Sequence, residues 1–267
     1  MTATTDTASL TGKIAIVTGA SRGIGKACAL ELAKRGVKGI TITYQSNVEA
    51  ANTTASELKA RGSEVLVLKA PGTVDNAYAD NLIQQTLQAF NVETIDILVN
   101  NAAFVGVRQM GSITPKDFHD FYDWNVLATY LLTQSILPVI AKGGSIINIS
   151  STAARVVGGS DPLIGGGLVL YSTSKAALEH LTRCLAASYA KEKRITMNVV
   201  APGGTSTDGM MQMPEHLKRK IEEDATAETR MGTPEEVADV VAFLAGGGGA
   251  RWINGETVHV NGGAAMF

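Results

Sequence analysis

"KIAIVTGASRGIG", residues 13–25, decides the fold. A short apolar run from Ile14 to Val17 stops at a glycine-rich turn, and "GKACALELAKRG" (25–36) then takes up helical periodicity. That is a strand feeding a helix. Gly19, Gly23 and Gly25 are spaced G-x-x-x-G-x-G, unlike the more familiar G-x-G-x-x-G. The physics is shared: residues without Cβ let the backbone turn tightly and let a pyrophosphate reach the amides and positive dipole of a helix N-terminus. A purely structural turn would also use glycines, but the position directly behind an apolar strand favours the phosphate-binding reading, with Ser21, Arg22 and Ile24 completing the loop.

Outward from this unit the pattern repeats. "GITITY" (39–44), a helix over about 48–61, "EVLVLKA" (64–70), a helix over about 75–90 and "IDILVNNA" (95–102) follow in order. A long helix from about Pro115 to Lys142 leads to "GSIINISS" (144–151), and a second from about Tyr171 to Glu192 leads to "ITMNVVAPGG" (195–204). In "TPEEVADVVAFLAG" (233–246), a Thr cap, a Pro at the first helical position and two early glutamates mark a helix start, and "ETVHVNGG" (256–263) supplies the last strand. Alternating strands and helices predict an α/β chain: a single-domain, Rossmann-type doubly wound parallel sheet of about seven strands, with helices on both faces and ligands beyond the carboxyl ends of the strands. Residues 10–267 are predicted to form this domain. The polar stretch 1–9 reads as a disordered tail, and 205–232, with Met210, Met211 and Met213, as a lid or loop in which the methionines serve either an adaptable apolar wall or ordinary packing.

Composition narrows the function. The chain has 267 residues, 45% of them hydrophobic, and a formal charge of -2, which offers no basic field for nucleic acid. No apolar run reaches the ~18 residues that a membrane span needs. Cys28 and Cys184 sit in helical segments without the neighbours of a metal or redox motif, so both are expected to be buried thiols in a reducing, cytoplasmic setting. The first residues lack the apolar centre of a secretory signal.

The second strand ends "TITYQSN", with Tyr44 where a site for NAD would want a carboxylate on the ribose hydroxyls. Arg22 in the glycine loop, with Ser46 and Asn47 nearby, favours a 2′-phosphate and hence NADPH or NADP+; a solvated Arg22 is the plainer alternative. "YSTSK" (171–175) places a phenol and an ammonium one helical turn apart, about 6 Å along the axis. The ordinary phenol pKa is about 10, and a nearby ammonium is expected to lower it toward the range where general acid and base catalysis works. An accidental surface pair would share the spacing. "INISS" delivers the Ser151 hydroxyl to the same carboxyl edge, and Asn125, a polar residue inside the long helix, either serves the site or bonds a neighbouring carbonyl.

Taken in order, "TGASRGIG", "NNAA", "WN", "NISS", "YSTSK" and "NVVAPGG" closely resemble the motifs of the short-chain dehydrogenase/reductases, from about Leu10 to Gly263. "RCLAASYAKEKRITMNVVAPGGTSTD" and "VNGGAAMF" look most like fungal polyketide ketoreductases of the polyhydroxynaphthalene and versicolorin reductase type, which act in secondary metabolism. The resemblance implies that Tyr171 gives a proton to the nascent alkoxide, Lys175 lowers its pKa and binds the nicotinamide ribose, Ser151 orients the carbonyl, and Asn125 holds a water of the proton relay. It further implies that Asn101, Ala102 and Ala103 pass beside the adenosine ribose, and that Pro202, Gly203, Thr205 and Thr207 contact the nicotinamide end. No metal is implied.

The chain also departs from that pattern. Pro71 and Gly72 replace the usual aspartate after the third strand, and Ala103 stands where glycine is common. Ser151 and Tyr171 are 20 positions apart, several more than usual, leaving a glycine-rich loop over about 152–170, with Gly158, Gly159, Gly165, Gly166 and Gly167, that either walls a pocket or is an inert insertion. The expected activity is NADPH-dependent reduction of a bulky cyclic or aromatic carbonyl. Alcohol oxidation in the reverse direction, a nucleotide-sensing protein without catalysis, and an unusual cofactor-assisted cyclase or dehydratase remain alternatives. The two long helices suggest a homotetramer, or else a dimer.

Overall fold

The computed structural model describes residues 9–156 and 167–267. Residues 1–8 of the expected tail and 157–166 of the expected loop lie outside the described residues. Among the described residues the strands are β1 (Ile14–Val17), β2 (Gly39–Tyr44), β3 (Glu64–Lys69), β4 (Ile95–Asn100), β5 (Ile140–Ile149), β6 (Thr196–Pro202) and β7 (Thr257–Val260). They form one parallel sheet in the order β3-β2-β1-β4-β5-β6-β7. The order reverses between β1 and β4, so the crevice of a doubly wound sheet opens above their carboxyl ends.

The central strands are buried on both faces, while the edge strands β3 and β7 are only partly buried. All four residues of β1 are buried, as a central parallel strand requires. On one face, helix α1 (Gly23–Lys34), helix α2 (Val48–Ala60) and helix α9 (Pro234–Ala245) pack Cys28, Leu32, Leu58 and Val241 onto Val17, Ile42 and Val99. On the other, helix α3 (Asn76–Phe90), helix α5 (Ala128–Ile136) and helix α6 (Val169–Lys193) pack Leu82, Leu132 and Leu185 onto Ile16, Leu98 and Ile146. Local chemistry sets the helix starts. Asn47 and Asp75 accept from Ala50 N–H and Tyr78 N–H, while Thr114 with Asp117 and Thr233 with Glu236 form reciprocal capping boxes, each followed by proline.

Four expectations need correction. The long helix expected over 115–142 is helix α4 (Pro115–Tyr122), a π-helical turn (Asp123–Leu127) and α5, after which β5 starts at Ile140 rather than 144. In the π turn, Ala128 N–H reaches five residues back to the Asp123 carbonyl, a one-residue expansion that the apolar period does not reveal. The segment 205–232 is not irregular throughout, since it contains the short helix α7 (Asp208–Met211) and helix α8 (Glu215–Asp224). Finally, Cys28 is buried, which pushes its thiol up to about 12, but Cys184 is exposed on the outer side of α6.

Candidate active site

The glycine loop is laced to the end of β4. Thr18 Oγ1 accepts from Asn101 N–H and Ala102 N–H, both at 3.0 Å, and Asn101 Nδ2 donates to the carbonyls of Thr18 at 2.9 Å and Gly19 at 3.1 Å. Gly19 N–H in turn donates to Thr43 Oγ1 at 3.0 Å, fixing the loop to β2. Glycine is required here: Gly19 has φ +65°, and a Cβ on it would stand 2.9 Å from Ala102 Cα. Thr18, which organises both segments, was not singled out from the sequence; its place between strand and glycine is the only signal it gives.

Helix α1 starts at this loop with Arg22 at its N-cap in an extended conformation and no side-chain capping bond. Its first amides therefore face the crevice without a competing side chain, whereas α2, α3, α4 and α9 have theirs satisfied. Arg22 is exposed and makes no ion pair among the described residues. Ser21 and Ile24 are half-buried, Ile24 against the core, and Ala103 is exposed.

At the end of β2, Tyr44 is half-buried while Ser46 and Asn47 are exposed, and no carboxylate is present there. The Asn47 carbonyl oxygen is committed to capping α2 at 2.8 Å, leaving its amide N–H groups for any ligand. Where the usual aspartate would follow β3, the Pro71 carbonyl accepts instead from Gln45 Nε2 at 3.3 Å.

The "PGGTST" segment leaves β6 across the same crevice. Gly203 N–H donates to the Val260 carbonyl at 2.9 Å, and Thr205, buried, donates its hydroxyl to the Gly203 carbonyl at 3.1 Å. Thr207 lies opposite the glycine loop: its methyl would be 3.3 Å from a Cβ on Gly23. The segment from Pro202 to Thr207 and the loop from Gly19 to Gly25 thus meet at Thr207 and Gly23.

The chemical cluster stands where β5 meets α6. The Ser151 side chain is a hydrogen-bonding neighbour of the Tyr171 phenol, whose titration it lowers, and accepts from Ala153 N–H at 3.2 Å. Lys175, 2% exposed, donates from Nζ to the Ile149 carbonyl at 2.7 Å, with Nζ 5.9 Å from the Tyr171 ring centroid. Loss of solvent dominates both titrations. Burial raises the Tyr171 phenol, against which the Ser151 hydrogen bond acts, and burial pulls Lys175 down to about 7. The expected lowering of the phenol by the ammonium does not appear, because burial outweighs it and Nζ is turned to the Ile149 carbonyl.

Asn125 lies in the π turn and is 1% exposed. Its Oδ1 accepts from Phe104 N–H at 2.7 Å, and its Nδ2 donates to the Phe104 carbonyl at 3.0 Å and to Ser174 Oγ at 2.9 Å. It thus ties the loop after β4 to α6, rather than bonding a carbonyl of its own helix. Phe104 and Ser174 were not anticipated, since both contacts are long-range.

Val107, Leu168, Gln212, Met213, Pro214 and Leu217 line a mostly apolar cavity of about 300 Å³, in which Leu168 stands three residues before Tyr171 in the chain. Arg108 N–H donates to the Gly167 carbonyl at 2.8 Å, closing one side. Among the described residues there is no cluster of ligands for a metal ion.

Residues 19–265 match a family model described as enoyl-(acyl carrier protein) reductase. The chain is 37% identical over 263 residues to the short chain dehydrogenase penD of Penicillium thymicola, covering 96% of this chain and 92% of that protein. It is 34% identical over 274 residues to a probable tetrahydroxynaphthalene reductase of Zymoseptoria tritici, covering 98% and 97%. A short chain dehydrogenase of Burkholderia cenocepacia J2315, solved in complex with NADP, superimposes with a TM-score of 0.86 at 33% identity, covering 96% of this chain and 98% of that one. With sheet order, crevice and sequence in agreement over nearly its whole length, the chain belongs to the short-chain dehydrogenase/reductase family.

Proposed function

We propose that the protein is an NADPH-dependent ketoreductase that reduces the carbonyl of a bulky cyclic or aromatic, polyketide-like substrate. The observation that carries this reading is the convergence of Ser151, Tyr171 and the buried Lys175 at the sheet edge that also holds the glycine loop. The residues present fit the dinucleotide: the uncapped α1 N-terminus and its Cβ-free cradle accept a pyrophosphate, and the unpaired Arg22 with Ser46 and Asn47 accepts a 2′-phosphate. Asn101, Ala102 and Ala103 flank the adenosine ribose in this reading, Tyr44 stands beside the adenine side, and Pro202, Gly203, Thr205 and Thr207 hold the nicotinamide end.

Bound there, the cofactor supplies a hydride to the carbonyl carbon. Ser151 donates a hydrogen bond to the carbonyl oxygen and holds it against Tyr171. The Tyr171 phenol, kept protonated by its surroundings, gives its proton to that oxygen as negative charge develops. Lys175, poised near neutrality, binds the ribose and replaces the proton, while Asn125 keeps the loop after β4 in register with α6. The apolar cavity bounded by Val107, Leu168, Met213 and Leu217 suits a ring system, with 205–232 as its lid. The name of the Zymoseptoria tritici relative, a reductase of a polyhydroxylated aromatic, supports this class. Exposed Phe118, Leu127, Tyr130 and Tyr189 on α4, the π turn, α5 and α6 support assembly as a homotetramer, or a dimer, in the cytoplasm.

The test is a panel of monocyclic, bicyclic and aromatic ketones incubated with NADPH or NADH, followed by loss of nicotinamide absorbance. Turnover of ring ketones with a preference for NADPH is expected. Reduction of none of them, or a preference for NADH, sinks the assignment.

A further inference from the structure

Glu179 is a carboxylate in the core: it lies two turns beyond Tyr171 on α6, one turn beyond Lys175, and is 2% exposed. Such a group is expensive to bury unless its charge and lone pairs are met. Both oxygens are engaged. Oε1 accepts from Ser150 Oγ at 3.1 Å, and Oε2 accepts from Arg155 Nε at 2.9 Å in an ion pair. Ser150 Oγ lies 3.4 Å from the Lys175 carbonyl as well.

These partners sit on either side of Ser151 in the chain. Ser151 has an extended backbone and leads into the single 3-10 turn Thr152–Ala154, with Arg155 directly after it. The guanidinium of Arg155 lies 5.4 Å over the Phe267 ring, which itself stands 5.0 Å from the His259 ring. Glu179 is not a counter-ion for Lys175, whose ammonium bonds the Ile149 carbonyl and whose titration shifts through burial alone. The carboxylate therefore faces the serine segment, not the lysine.

We propose that Glu179 and Arg155 are positioning residues for Ser151: the ion pair, buried at its carboxylate end, pins the segment 150–155 onto α6 and so sets the serine hydroxyl against the Tyr171 phenol. The inference rests on the ketoreductase reading for its kinetic consequence, but its geometric content stands apart from any substrate.

The experiment uses the full chain carrying Glu179→Gln, Arg155→Met or Arg155→Lys. Crystals of each variant with NADP+ report the Ser151–Tyr171 hydrogen bond, and fluorescence titration reports NADPH affinity. For Glu179→Gln and Arg155→Met the bond is expected to break, with kcat on the best ketone of the panel falling about 10- to 100-fold while KM and NADPH affinity hold. Arg155→Lys, which keeps the cation, should recover most of kcat. An intact Ser151–Tyr171 bond in Glu179→Gln overturns the proposal, as does an unchanged kcat, or a parallel loss of kcat and NADPH affinity that Arg155→Lys fails to rescue. Glu179→Gln is nearly isosteric and gives the decisive reading if Arg155→Met does not fold. Were no ketone reduced by the unaltered protein, the ketoreductase reading would fail while the crystals still decided the positioning role.

Discussion

Asn125 is paired with the main chain of Phe104 as one strand pairs with another, its amide taking the Phe104 N–H at 2.7 Å and giving a hydrogen bond to the Phe104 carbonyl at 3.0 Å. Asn125→Ala is expected to strand both Phe104 backbone groups, leaving Ser174 with only its bond to the Tyr171 carbonyl, and to lower stability by about 1–3 kcal/mol. Chemical denaturation checks this; a midpoint equal to the unaltered protein's would show that the pairing contributes nothing.

Tyr171→Phe removes the proton donor and keeps the ring. Turnover should fall by about 10²–10⁴-fold, the usual range for a lost general acid, with NADPH affinity changed little. Steady-state kinetics beside fluorescence titration separates the two quantities. An equal loss in both would make the tyrosine a packing residue.

Arg22→Ala tests cofactor choice. The guanidinium has no ion-pair partner among the described residues, so its loss should weaken NADPH binding by about 10- to 100-fold, the worth of a charge-assisted hydrogen bond, and leave NADH almost unaffected. Calorimetry with both nucleotides would show it, and equal weakening of the two would refute a 2′-phosphate contact.

Burial holds Lys175 near 7 in the fold against 10.5 for the free side chain, so the unfolded chain binds the additional proton between those values. The folded state accordingly gains stability as pH rises from about 7 toward 10.5, and carries the full penalty of a buried ammonium below 7. Lys175→Met should raise the thermal midpoint, measured without added nucleotide, more at pH 6 than at pH 10. A difference that does not vary with pH would place the lysine's charge in solvent.

Gly25→Ala would set a Cβ 2.5 Å from the Gly19 carbonyl oxygen, a backbone atom that cannot swing aside. The loop must shift, costing about 1–3 kcal/mol and weakening NADPH binding in the same variant. Thermal melts with and without nucleotide would reveal both effects.

Much of the architecture was legible because buried parallel strands are written in runs such as "IAIV" and "GITITY", and because caps like Thr233 announce helices. The glycine loop, Ser151, Tyr171 and Lys175 were legible for the same reason: each sits at a fixed offset from a strand end or helix start. What stayed hidden depends on contacts between distant positions. Nothing local to Glu179 points to Arg155, 24 residues earlier, nor does Asn125 point to Phe104. The direction of the Tyr171 titration also escaped, since spacing gives proximity to a lysine but not how little water surrounds either group. Cys184 was misread because α6 carries apolar residues beyond one face, and periodicity does not say which of them meets solvent.

The wide turn at Asp123–Leu127 takes in one residue more than an α-helical turn holds, so the added length is absorbed within it and the helical halves on either side stay in phase. Trimming a single residue there is expected to restore an unbroken α spiral with α4 and α5 still facing as they do. What it would move is Asn125, out of register with Phe104 and Ser174, which puts the length of this short stretch under the same constraint as its composition.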